Sequence, residues 1–290
     1  MFKKLTTIRS MTLATALLLA AGCGGGGDAG SSGGDDAGGA GTAASPVDAA
    51  TAGNVAGMVT FTGVAPEMSS IDMSDESVCA AKHSTTPMAE TVLVGDGGGL
   101  ANVFVYVKEG LEGMAFPTPA AAVLDQDGCV YSPHVIGVQV GQTLTLRNSD
   151  GLLHNIKASP SVNRPFNTSQ PVEMDTDRSF PSAEVMVPLQ CDVHGWMTAY
   201  VGVLDHPYHS VSGGDGAFSF ETLPPGDYVI EAWHEQYGAV TQNVTVVTGE
   251  TADVTFEFDT SMASNLVPLA APLILSHDQG HKPVKADNQF

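Results

Sequence analysis

From residue 54 to residue 258 the apolar residues tend to recur with a period of two, and that period decides the fold class. "VAGMVTFTG" (55–63), "NVFVYVK" (102–108), "IGVQVGQTLTLRN" (136–148), "AEVMVPLQ" (183–190) and "AYVGVLD" (199–205) are short runs rich in Val, Thr and aromatic residues. Clusters of Gly, Pro, Asn and Asp separate them. In the third run Ile136, Val138 and Val140 share one face, Gly141-Gln142 turns, and Leu144 and Leu146 face inward again. No apolar stripe of helical spacing and useful length appears before residue 260. Short strands broken by turn signals predict an all-β sandwich or Greek-key barrel over residues 54–205.

A second β block occupies 206–260. Phe218/Phe220, Tyr228/Ile230/Ala232 and Val254/Phe256/Phe258 alternate strictly, with turns at Gly214-Asp215-Gly216, "LPPGDY" and "TGET". Its four strands are few for an independent sandwich, so the block is expected to pack on the first domain or to borrow strands from it. The tail 261–290 contains "LVPLAAPLIL", interrupted by Pro268 and Pro272 and too short to cross a bilayer, and is expected to be disordered.

The N-terminus reads as a targeting segment. Lys3, Lys4 and Arg9 precede the apolar "MTLATALLLA" (11–20), and small residues lead into Cys23. The stretch resembles a bacterial lipobox, with Ala20 where leucine is commonest. That resemblance implies cleavage after residue 22 and a lipid on the Cys23 sulfur. Residues 23–53 are then a Gly-rich leash with too few large apolar residues to fold, and a reach of roughly 30 Å. The expected location is the bacterial cell envelope, with the globular part in the periplasm or at the outer surface.

Three of the eleven Lys+Arg lie in the leader, against 32 Asp+Glu in the whole chain, so nucleic acid is disfavoured as a partner, and the acidity either steers a basic partner toward the protein or only keeps it soluble.

Four cysteines need roles. With Cys23 set aside, Cys79 and Cys129 either pair in a disulfide, the simplest outcome in an oxidising compartment, or lend a metal ligand beside His83 or His134. Cys191 opens "CDVHGWM" (191–197), where a thiol, an imidazole and a thioether share one short loop. Soft sulfur ligands together with imidazole select copper, whereas structural zinc favours four Cys/His ligands. A mononuclear electron-transfer site needs a second imidazole from a neighbouring strand, and "GQTLTLRNSDGLLHNI" (141–156) ends on His154-Asn155.

"VQVGQTLTLRNSDGLLHN" followed by "CDVHGWM" resembles the cupredoxins, the blue copper proteins, with the short C-x2-H-x2-M loop of the amicyanins. The resemblance spans 136–205. It implies one type 1 copper ion held by His154, Cys191, His194 and Met197, with Asn155 bonding across to the Cys191 segment. Trp196 would lie beside the more exposed imidazole edge of His194, either as part of a docking patch for a redox partner, such as a basic cytochrome or dehydrogenase, or simply as a cap on the barrel end. The later block, through "SGGDGAFSFETLPPGDYVIEAW" and "VTFEF", resembles the carboxypeptidase regulatory-like, transthyretin-type modules, which imply no reaction.

Other chemistries are disfavoured. Cys191 lies between Gln190 and Asp192, so the His-Cys-His bridge of multicopper oxidases is absent, and one loop cysteine cannot build a dinuclear copper centre. No C-x-x-C-H marks haem attachment, and a Cys191/His194 nucleophile pair has no third orienting group. The expectation is an electron carrier and not an enzyme. Copper sequestration or delivery is the alternative, and a metal-free envelope module the third reading. His206, His209 and His234 are either a second metal site or polar residues at a domain seam, and the seam is favoured. His134 reads as a strand entry.

Overall fold

The computed structural model describes residues 47–265, and Cys23 with its expected leader and lipid lies outside them. The run containing strand β2 (Phe104–Glu109) explains the architecture best, because it is buried on both faces. Val103, Val105 and Val107 point into one core, while Phe104 and Tyr106 point into another. A strand apolar on both faces must lie between two layers.

Four sheets stack in this way. The outermost orders β13 (Ala217–Leu223), β1 (Gly53–Thr62) and β16 (Thr251–Asp259). The second orders β12 (His209–Val211), β2, β14 (Gly226–His234) and β15 (Gly238–Val246). Between them lie Val55, Val59, Phe218, Phe220, Ile230, Ala232, Phe256 and Phe258, the alternating residues of the second block. Burial of each large side chain is worth about 1.5–3 kcal/mol.

The third sheet orders β5 (Val135–Gln139), β11 (Thr198–Leu204), β10 (Glu184–Gln190), β7 (His154–Ala158) and β8 (Phe166–Gln170). The fourth orders β4 (Val130–Ser132), β3 (Ala122–Asp127), β6 (Leu144–Asn148) and β9 (Met174–Arg178). Leu124, Leu144, Leu146, Ile156, Val187, Leu189, Val201 and Val203 fill the space between them.

The second and third sheets meet through Phe104, Tyr106, Val135 and Leu204, joined by Tyr200 and Trp233. Glycine permits the close approach. Gly137 and Gly202 pair across β5 and β11. A Cβ on Gly202 would fall 2.4 Å from the Phe104 ring, and one on Gly137 would fall 2.3 Å from His209 Nδ1.

The all-β expectation holds, and the second block does borrow strands. The boundary drawn at 205/206, however, does not separate the sheets. β1 and β2 precede it in sequence but hydrogen-bond to β13, β14 and β16. The sandwich of β3–β11 is thus inserted between β2 and β12 of the other. Two smaller corrections follow: β1 begins at Gly53, the last residue given to the linker, and Thr260–Asn265 form a 3-10 helix at the start of the expected tail. The rest of that tail lies outside the described residues, among which no helix is long and apolar enough to cross a membrane.

Candidate metal centre

The site lies at one end of the inserted sandwich, where β7 starts and the β10–β11 connection returns. His154 is the first residue of β7. Residues 191–197 form the connection, a loop closed on itself by Cys191 N–H donating to Met197 O (3.1 Å) and Met197 N–H donating to His194 O (2.9 Å). His194 N–H also donates to Cys191 Sγ at 3.4 Å. These bonds leave little freedom between the thiol and the imidazole three residues on.

His154, Cys191 and His194 are buried, and one ligand atom from each lies within 4.8 Å of the others. The two Nδ1 atoms are 2.9 Å apart, and His194 Nδ1 is 3.9 Å from Cys191 Sγ. Met197 is buried in the same core cluster as Cys191.

Asp150 decides how His154 presents itself. Its carboxylate is fully buried, with Oδ2 2.8 Å from His154 Nε2. A carboxylate only accepts, so the Nε2 edge of His154 carries the hydrogen, and in the neutral ring the Nδ1 lone pair faces Cys191 and His194. Burial opposes charge on His154, but the bond to Asp150 and the neighbouring Cys191 outweigh it and raise its pKa to about 9. Burial likewise works against the Cys191 thiolate, yet His154 and the backbone amides of the loop pull its pKa below the ordinary thiol value. His194 is pushed down by burial and by His154. The three groups thus favour charge on His154 and on the Cys191 sulfur and disfavour it on His194.

Asp150 is held in turn by the β3–β4 hairpin. Gly128 and Cys129 both have positive φ, +68° and +56°, as a two-residue turn between Asp127 and Val130 requires. Their N–H groups both donate to the carboxylate at 2.7 Å. Lys82 Nζ completes the set at 2.9 Å. Burial alone would raise the pKa of Asp150, but these donors hold it well below the carboxylate range.

Asn155 ties the two halves of the site. Its Oδ1 accepts from Asp192 N–H at 2.8 Å and from the Cys191 thiol at 3.3 Å, and its Nδ2 donates to Asn167 Oδ1 at 2.8 Å. Tyr131, a residue not singled out from the sequence, donates its hydroxyl to Asn155 O at 2.5 Å. Trp196 packs its ring 5.2 Å from that of His194 and donates Nε1–H to Cys129 O at 2.9 Å.

One expectation is corrected. His194 does not present an exposed edge: it is only 3% exposed. Residues 70–90 fold over it, with the short helix α1 (Ser77–Ala80) bringing Cys79 Sγ to 3.8 Å from His194 Nε2. Cys79 is joined to Cys129 by a disulfide, which resolves the two earlier alternatives for these thiols. His83 adds a second tie through Nε2 to Gly128 O at 2.6 Å. Neither the covering segment nor Asp150 carried a recognisable ligand spacing, so sequence reasoning missed both.

The remaining histidines do not gather. Among the described residues the potential ligand groups are His154/Cys191/His194 and Cys129/Asp150/His154. His206 Nε2 bonds Val107 O at 2.8 Å, His209 stacks on Phe104, and His234 stacks on Tyr237. His134 stands just before β5, as a strand entry should, and reaches Thr198 O and Glu235 Oε1 at 3.1 and 2.5 Å.

Residues 197–259 match the carboxypeptidase regulatory-like domain. That match covers the last strand of the inserted sandwich and β12–β16, but not β1 and β2, which complete the same two sheets. No curated protein matches the chain. Among solved structures, an oxidised amicyanin variant is 24% identical over 29% of this chain and 82% of its own, with a TM-score of 0.27. A purple cupredoxin from Nitrosopumilus maritimus is 22% identical over 28% of this chain and 98% of its own, at 0.25. A copper-containing nitrite reductase from Thermus scotoductus is 19% identical over 34% and 25%, at 0.28. At such scores the chemistry has to be read from this chain's own side chains.

Proposed function

We propose that the chain is a type 1 copper protein that carries single electrons. The convergence of His154, His194 and an ionisable Cys191 in one buried cluster, with Met197 closing the same loop, is the observation that carries this reading. Two imidazoles, a thiolate and a nearby thioether are the donor set that suits copper and not structural zinc. A copper ion held there supplies a one-electron couple between Cu(II) and Cu(I).

The protein's part is to hold the donors still. Asp150 fixes the ring of His154, Asn155 fixes the Cys191 segment, and the closed loop fixes His194. A site whose ligands are all braced by outer hydrogen bonds changes little when the charge of its metal changes. Burial excludes water from the thiolate.

Because the disulfide covers His194, the partner reaches the site beside Trp196. That ring is partly exposed, touches His194, and lines a groove of about 520 Å³ with Ile71, Met88, Glu90 and Thr198. The chain's formal charge of −21 favours a basic redox protein there. We infer further that a lipid on Cys23 tethers the molecule to the cell envelope, which mass spectrometry of the N-terminal peptide would test.

The decisive experiment adds Cu(II) to the purified protein and records the visible spectrum. An intense thiolate-to-copper band is expected, and it should vanish in Cys191→Ser. A folded wild-type sample without that band, or a Cys191→Ser variant that keeps it, refutes the reading. The burial of His194 favours one rival, copper storage or delivery. Reversible cycling at an electrode supports the carrier, and ready loss of copper to a chelator supports the rival.

A further inference from the structure

Each ligand imidazole has two edges, and only one faces Cys191. The Nε2 edges face the Cys79–Cys129 disulfide and Asp150: His194 Nε2 is 3.8 Å from Cys79 Sγ, and His154 Nε2 is 2.8 Å from Asp150 Oδ2. Ligand atoms of Cys129, Asp150 and His154 lie within 4.8 Å of one another, and all three residues are buried. This second cluster stands back to back with the first. Its two sulfurs are joined to each other, and a disulfide sulfur is a poor ligand, whereas a thiolate is a strong one.

We propose that reduction of the Cys79–Cys129 disulfide unmasks a second metal site, selective for a soft monovalent cation such as Cu(I). A dithiol or phosphine reductant supplies two electrons to the S–S bond, which breaks to give two thiols. With a phosphine, water supplies the oxygen of the phosphine oxide and the two protons. Binding then releases one proton from each thiol, and the metal bonds to the Cys79 and Cys129 thiolates with the Asp150 carboxylate beside it. Two thiolates suit Cu(I), which accepts low coordination numbers and soft donors.

The pair stays together after the bond is cut because two other ties hold the cover. With the disulfide intact, Lys82 lies 2.9 Å from Asp150 and His83 2.6 Å from Gly128 O, and neither tie runs through the S–S bond. Lys82 also places a positive charge beside the extra negative charge that two thiolates bring. In the oxidised state the same atoms form only a lid over His194. This rests on the proposed copper site at Cys191: with that site filled, the redox state of the surroundings sets whether the protein holds one copper ion or two.

The test counts Cu(I). The full chain is titrated anaerobically with Cu(I) against bicinchoninate, first oxidised, then after treatment with a phosphine that is removed by desalting. A gain of one Cu(I) per chain on reduction is expected, lost again when an added disulfide reagent re-forms the bond. A Cys79→Ser/Cys129→Ser double variant should show no gain. Re-oxidation of the wild type gives the same information if that variant does not fold. Equal stoichiometry before and after reduction overturns the proposal, as does a gain that persists in the variant, or a disulfide the phosphine does not open in the folded protein. The oxidised protein reports on the Cys191 site by itself, so failure of that site appears as zero copper before reduction and is told apart from failure of the second.

Discussion

Replacing Asp150 by Asn tests whether a buried carboxylate organises the site. Its Oδ1 accepts from Gly128 N–H and Lys82 Nζ, and its Oδ2 from Cys129 N–H and His154 Nε2. Each oxygen therefore faces two donors. An amide can present only one oxygen, so whichever way it turns, an NH2 group confronts two donors. Two hydrogen bonds involving a charge, worth about 1.5–3 kcal/mol each, are lost, and Lys82 loses its counter-charge. The expected loss of stability is about 3–5 kcal/mol in the metal-free protein at neutral pH, read from urea unfolding as a lower midpoint with an unchanged slope.

The pH dependence adds a second signature. Asp150 is held below its ordinary range, so its contribution is present above about pH 3.9 and is lost as the pH falls through its folded value. His154 is raised, so its contribution is complete below 6.5 and is lost as the pH rises through about 9. Asp150→Asn should flatten both limbs. A loss below about 1 kcal/mol with both limbs intact would show that the carboxylate does not organise this end of the sandwich.

Other substitutions probe separate links. Asn155→Ala removes the acceptor for Asp192 N–H and the Cys191 thiol, and should weaken copper retention by roughly 10–100-fold in chelator competition. An unchanged affinity would deny Asn155 its bracing role. Gly202→Ala drives a methyl into the Phe104 ring and should cost about 1–3 kcal/mol, with part recovered in a double variant carrying Phe104→Leu. Strict additivity of the two would place the clash elsewhere. The His134–Glu235 pair joins the third sheet to the end of β14. Burial opposes charge on His134, but Glu235 raises its pKa, so the pair's contribution is complete below 6.5 and lost as the pH rises through the folded value. Glu235→Gln should remove that alkaline loss from thermal melts, and an unaltered pH profile would contradict the assignment.

Strands were legible where apolar residues fill the buried face, because alternation then shows directly in the sequence, whereas β3 and β8, which bury Gln126, Thr168 and Gln170, were missed. Phe218, Phe220, Phe256 and Phe258 announced themselves and are all in the core. β9, "MDTDR", gave no such signal, since its residues are exposed or half-buried and are held by pairing with β6. The borrowing of β1 and β2 was foreseeable only in kind. Four alternating strands could not close two sheets, but nothing local in "VAGMVTFTG" states that its partners lie some 200 residues onward at Thr251–Asp259. The double-sided run "NVFVYVK" did carry the relevant hint. A strand with no polar face belongs between layers, and reading it so would have placed the seam.

The residues proposed as metal ligands were legible for a different reason. Cys191, His194 and Met197 lie in one loop whose length limits their geometry, and His154 follows a strand that had to end nearby. The cover was not legible because its effect is non-local. Cys79 and Cys129 signal a disulfide in general, but its position over His194 depends on insertion. The chain must run from β1 across the mouth of the inserted sandwich before entering β2, and residues 70–90 make that crossing. The crossing from β1 to β2 therefore also places a covalent bridge on the Nε2 edge of His194. A partly exposed ring in contact with that imidazole is Trp196, whose Nε1–H is bonded to the bridge's own Cys129 carbonyl. Cutting the disulfide should consequently disturb Trp196 as well as His194. An altered tryptophan fluorescence on reduction of the metal-free protein is the expected result, and a spectrum indifferent to reduction would mean that the cover and Trp196 are uncoupled.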